Sequence, residues 1–108
     1  MFRPVALSLA ALVLLAGCVS IKFGRDFPSP DRQLIVLNKT DKPALEKLFG
    51  DPYQVGVDSG DPTWRWFYGH RDSDTELSKD LSVRFNPDGT VKSYAFTSNF
   101  PDDIARLK

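Results

Sequence analysis

Thr63-Trp64-Arg65-Trp66-Phe67-Tyr68-Gly69 is the stretch on which the fold turns. In an extended chain successive side chains alternate between faces, so Trp64, Trp66 and Tyr68 share one side and Arg65 and Phe67 the other. Aromatic residues favour strands, and aromatics on both sides mean that part of the second face is covered as well. The Trp64, Trp66 and Tyr68 face could serve an interface or build the core; core is expected, since something large must pack on Leu45, Leu48 and Phe49 upstream, which leaves Arg65 and Phe67 as the interface candidates.

On either side of this strand the apolar pattern continues with period two. Tyr53, Val55 and Val57 alternate with Gln54, Gly56 and Asp58 before the turn cluster Ser59-Gly60-Asp61-Pro62. Downstream, Gly69 to Lys79 is polar without apolar period and is expected to be a mobile loop. Leu81, Val83 and Phe85 resume the alternation. Asn86-Pro87-Asp88-Gly89 has the chemistry of a type I turn with Gly89 at positive φ, and Val91 to Phe96 supplies a last strand. The tail from Thr97 is expected to add no core element.

Upstream the period changes to 3.6. Ser29-Pro30-Asp31 predicts an N-cap, a proline in the first turn and an acid near the helix dipole. Leu34, Leu37 and either Ile35 or Val36 form its apolar face, with Asn38 as a left-handed stop. Thr40 predicts the N-cap of a second helix, whose Leu45, Leu48 and Phe49 fall at i, i+3 and i+4. Gly50 and Pro52 end it. The expected fold is α+β, with two short N-terminal helices packed on a three- to four-stranded antiparallel sheet, and Leu48 facing Trp66 across the layers.

The N-terminus has a different character. Arg3 precedes an apolar run from Val5 to Ala16 broken only by Ser8, the shape of a secretory signal. The run falls short of the roughly 20 apolar residues of a membrane span. Leu15-Ala16-Gly17-Cys18 resembles the bacterial lipobox, in which the cysteine thiol receives diacylglycerol and becomes the new N-terminus. The resemblance implies residues 1–17 as signal peptide and lipidation at Cys18; Val19 to Pro28, with Gly24 and Pro28 and little periodicity, reads as a tether, so 18–28 is expected to be the lipidated cysteine and tether. A domain over 29–98 and a tail over 99–108 complete the chain. One acyl chain anchors only marginally and two or three make attachment stable. Val19-Ser20 lacks the aspartate of an inner-membrane retention signal, so the expected location is the periplasmic face of the bacterial outer membrane.

From Cys18 onward the chain has 91 residues, with 13 basic against 14 acidic side chains. That is one small domain with no basic stripe for nucleic acid. Cys18 is the only cysteine, so an acylated Cys18 leaves no thiol for a disulfide or a thiolate metal site. No cofactor or small-molecule substrate is expected. His70, the only histidine, stands without a phosphate loop, nucleophile elbow or metal-binding helix motif. Asp72, Asp74, Glu76 and Asp80 lack the order of a calcium loop and, interspersed with Arg71 and Lys79, read as a solvated surface.

Thr40, Leu45, Leu48, Gly50 and Pro52, then Trp64-x-x-x-Tyr68, Leu81-x-Val83-x-Phe85 and Gly89-x-Val91, are together similar to the pattern of the SmpA/OmlA (BamE-like) domain over about residues 30 to 96. The resemblance implies a two-helix layer on a small sheet and an accessory role in outer-membrane β-barrel assembly. Asn38-Lys39-Thr40 stands where the family often has Gly-Met-Thr. The tyrosine, isoleucine and Gln-Gly segment of its interaction surface has no counterpart in Lys22 to Pro30. The function expected is a noncatalytic scaffold that binds envelope proteins or lipid headgroups from the membrane surface; the alternative is a protein-binding inhibitor module of the β-lactamase-inhibitor-like kind. The partner-binding candidates are Arg65, Phe67 and Arg84 on the outer sheet face, with Lys39 and Thr40 at the second helix's N-terminus, where free N–H groups attract anions.

Overall fold

Eleven residues, Asp61–Arg71, form the long strand around which the molecule is built. The computed structural model describes residues 20–108, so the expected signal peptide and lipidated Cys18 lie outside the described residues. The element order is β1 (Ile21–Gly24), α1 (Lys42–Phe49), β2 (Gln54–Asp58), β3 (Asp61–Arg71), β4 (Glu76–Phe85), β5 (Val91–Ser98) and α2 (Pro101–Leu107). All five strands join one antiparallel sheet in which β4 pairs with one edge of β3 and β5 pairs with β4.

The other edge of β3 is shared. β2 pairs with its first half, Gln54 opposite Arg65, and β1 with its second half, Phe23 opposite Gly69. Between them, the Arg25 N–H donates to the Phe67 carbonyl at 3.1 Å and the Tyr53 N–H to the Arg65 carbonyl at 2.8 Å. The Arg25 guanidinium closes the seam by donating to the Asp51 and Pro52 carbonyls, both at 3.3 Å. Gly24 ends β1 at φ 70°, where an added Cβ would lie 2.2 Å from the Phe67 carbonyl oxygen, so only glycine lets the chain approach so closely.

The inner face is laid out in rows across the strands. Trp64 lies beside Val83 and Tyr94, Trp66 beside Leu81 and Phe96, and Tyr68 beside Lys79 and Ser98. Leu45 and Phe49 of α1 close over them with Phe27 and Ile35 to make the core. Phe49 meets Trp66 with ring centroids 5.6 Å apart, and the Trp66 indole donates to the Gly50 carbonyl at 3.0 Å, tying the end of α1 to the sheet. Lys79 is buried among these aromatics. Its ammonium donates to the Phe27 carbonyl, lies 3.0 Å from the Asp26 carboxylate and sits 4.8 Å from the Phe27 ring centroid, so its charge is compensated.

The structure corrects the expected fold class: it is sheet-rich, with five strands and helices at 42–49 and 101–107, not two N-terminal helices on a smaller sheet. Where the first helix was expected, residues 32–39 make turns. The Asn38 N–H goes to the Val91 carbonyl at 2.8 Å and the Val36 N–H to the Thr40 hydroxyl at 2.9 Å, which takes both groups out of a helical ladder. A helix of two turns is marginal in isolation, and only Ile35 of its apolar residues is buried, so no helical face repays the ordering. Asn38 does adopt the left-handed conformation, φ 64°.

Further differences follow from the sheet. Asp41, not Thr40, caps α1, its carboxylate accepting from the Ala44 N–H at 3.1 Å; Pro43 lies in the first turn and Gly50 at the end, as expected. Phe49, not Leu48, meets Trp66, while Leu48 is 37% exposed. The polar stretch Gly69 to Lys79 is mostly strand, reduced to a turn in which the Asp72 carboxylate accepts from the Asp74 N–H at 3.1 Å and the Thr75 N–H at 2.9 Å. The segment expected to be a tether contributes β1 and the core residue Phe27.

The expected tail forms α2, whose buried Asp103 is held by Ser98 at 2.6 Å, Ser29 at 2.9 Å and Arg106 at 3.0 Å. The turn at Asn86 to Gly89 closes as expected, with Gly89 at φ 87° and its N–H on the Asn86 carbonyl at 3.0 Å.

Candidate binding surface

The outer face carries the residues that alternate with the core. Thr63, Arg65, Phe67, Gly69 and Arg71 of β3 lie beside Arg84, Ser82, Asp80, Ser78 and Glu76 of β4, with Ser93, Ala95 and Thr97 of β5 beyond. Arg65 and Phe67 are together here, the guanidinium carbon 5.2 Å from the ring centroid. Tyr53 extends the aromatic surface, its ring centroid 6.3 Å from that of Phe67. Beside them Gln54, Val55, Gly56, Thr63, Arg65 and Ser82 line a shallow depression of about 420 Å³.

Neither arginine is a free cation. Arg65 donates to Asp80 through Nε at 2.8 Å and to Gln54 at 3.1 Å, and the hydrogen bond to Asp80 raises the guanidinium pKa further. Arg84 donates to Asp61 at 2.8 Å, with Asp58 at 3.7 Å. Asp61 also accepts from Lys92 at 2.9 Å, and these hydrogen bonds, Lys92's first and Arg84's second, hold its carboxyl below the usual carboxylate range. The expected aromatic patch flanked by cations is thus an aromatic patch flanked by ion pairs, geared to shape and hydrogen bonding more than to net charge.

Lys39 and Thr40 do not join it. The Thr40 carbonyl accepts from the Val91 N–H at 2.8 Å and its hydroxyl is taken by Val36, which places the pair at the β5 margin, across the sheet from β1 and β2. The Asp41 carboxylate occupies the first turn of α1, so the expected anion attraction there is met from within the chain. Asp80 lies on the outer face with Arg65 and Asp72 in the β3–β4 turn; among the described residues no three His, Cys, Asp or Glu side chains gather as a metal-binding group.

The apolar part of this face was not among the expected site residues. Ile21, Phe23 and Tyr53 are 51%, 49% and 46% exposed. Opposite Arg71 and Gly69, Ile21 and Phe23 lie on the side of Phe67, whose ring reaches over Gly69. The signal was present in Ile21-Lys22-Phe23, which alternates with period two. Val55 and Val57 on β2 are exposed too. No described helix is long and apolar enough to cross a membrane. Comparison of the chain with models of protein families, with curated proteins and with solved structures finds no match to any of them.

Proposed function

We propose that this chain is a lipid-anchored, noncatalytic envelope protein, acylated at Cys18 and working as an accessory binding scaffold at the periplasmic face of the bacterial outer membrane. The observation that carries the reading is the sequence Leu15-Ala16-Gly17-Cys18 closing a basic-then-apolar leader. Its support from the fold is the outer sheet face, where Phe67 and Tyr53 stand beside the Arg65 and Asp80 pair without a packed layer over them among the described residues.

The β-barrel assembly role is the narrower proposal. It rests on the resemblance to the BamE-like domain, and the turns at 32–39 stand where that resemblance implies a first helix. Envelope integrity through protein binding is the broader one. Intact-mass spectrometry of the detergent-extracted protein tests the anchor: the expected species begins at Cys18 and carries diacylglycerol and a further acyl chain. An unmodified thiol, or a mature chain beginning elsewhere, overturns it. Subunits recovered with the extracted protein then separate barrel assembly from other envelope partners.

A further inference from the structure

We propose that the β1 margin of the sheet, Ile21 and Phe23 backed by Phe67, is a membrane-apposed surface that seats the domain on the phospholipid leaflet holding its anchor. The inference rests on the reading that Cys18 is acylated and adds to it the orientation of the domain.

Reach limits where the domain can sit. A residue spans at most about 3.6 Å, so the three steps from Cys18 to Ile21 cover no more than about 11 Å. Ile21 is already in register with Arg71 and belongs to the sheet. The expected tether over 18–28 therefore holds too little free chain to lift the domain away, and the β1 end must lie near the lipid headgroups.

The side chains at that end match such a place. Ile21 and Phe23 point to one face of β1 and remain half exposed, an apolar pair on an edge strand of a small domain. Phe67 borders them over Gly69, where the membrane-apposed margin meets the partner-binding surface around Arg65 and Tyr53. Lys22 lies between them on the opposite side, opposite His70, and Arg25 is committed to the Asp51 and Pro52 carbonyls. Lys22 and Arg71 at this end are outnumbered by Asp72, Asp74 and Glu76, so apolar contact, not charge, supplies the attraction. The patch needs little affinity of its own, because the acyl chains make its contact with the bilayer an intramolecular event at high effective concentration.

A single free thiol reports the orientation once Cys18 is acylated. Ile21→Cys, Lys22→Cys and Thr97→Cys, spin-labelled in the full lipoprotein, are reconstituted in vesicles of phosphatidylethanolamine with a minority of anionic phosphatidylglycerol. Relaxation by oxygen, which partitions into lipid, is compared with relaxation by a water-soluble nickel chelate. The label at Ile21→Cys is expected to show an oxygen-to-nickel ratio several-fold above those at Lys22→Cys and Thr97→Cys, unchanged by added salt. Equal, water-like ratios at all three sites in protein whose mass confirms acylation overturn the docking and leave the anchor standing. A high ratio at Ile21→Cys that collapses in salt overturns the apolar basis. Absence of acylation in the wild type overturns the underlying reading instead.

Discussion

The two faces of one sheet differ in what they bury. Neighbouring residues of β4 alternate between them: Leu81, Val83 and Phe85 are fully enclosed, while Asp80, Ser82 and Arg84 turn to the other side. The inner side is filled by aromatics and aliphatics from α1, Phe27, Ile35 and three strands. The outer side is tiled by the Arg65–Asp80 and Arg84–Asp61 pairs, with one aromatic island at Phe67 and Tyr53. Burial of apolar area is the main source of stability and exposed ion pairs contribute little, so the inner face carries the fold and the outer face is free to serve something else.

The largest effects should therefore come from within. Phe49→Ala removes the ring against Trp66 and Phe27 and is expected to cost about 3 to 5 kcal/mol in urea unfolding, whereas Leu48→Ala, its part-exposed neighbour, is expected to cost about 1 kcal/mol. Equal costs for the two would return Leu48 to the packing face.

Asp103 is the polar counterpart in the core. Burial pushes its carboxyl up, but hydrogen bonds from Ser98, Arg106 and Ser29 outweigh it and hold the folded pKa below the usual value. A depressed folded pKa contributes stability that is fully present above the unfolded value of about 3.9 and is lost as pH falls through the folded one. Asp103→Asn is expected to lower stability at pH 7 by about 1 to 3 kcal/mol and to flatten the acid limb below about pH 4. Unfolding midpoints measured at both pH values check this, and an unchanged acid limb would assign that sensitivity to other carboxylates.

On the outer face, a double-mutant cycle on Arg65 and Asp80 is expected to give a coupling of about 0.2 to 1 kcal/mol, since both side chains remain partly in water. A coupling several times larger would mean that the outer face also holds the fold.

What could be read from the sequence was local. The faces of Trp64 to Tyr68 follow from a period of two, the end of α1 from Gly50, and the β4–β5 turn from Asn86 to Gly89, each a matter of neighbours along the chain. The false first helix fails for a reason no window of sequence contains: the Ser29 hydroxyl, expected to cap it, donates to Asp103 at 2.9 Å, and Asp31 pairs with Arg106 at 2.9 Å, both more than seventy residues away. β1 likewise depends on a partner strand over forty residues distant. On the candidate surface the period-two reading put Arg65 and Phe67 on one face. That Asp80 neutralises Arg65 could be known only from the β3–β4 register, which sets Asp80 opposite Phe67 and diagonal to the arginine.

The division of labour between the two faces is tested most directly by charge reversal at Arg65 combined with Phe67→Ala, assayed for folding, lipidation and capture of envelope proteins in detergent on the same preparation. The expected result is an acylated protein whose thermal midpoint falls by no more than several degrees, roughly the shift from 1 kcal/mol in a domain of this size, and whose capture of the partners recovered with wild type is weakened several-fold. Full capture by the folded, acylated double variant would contradict the assignment of binding to the outer face.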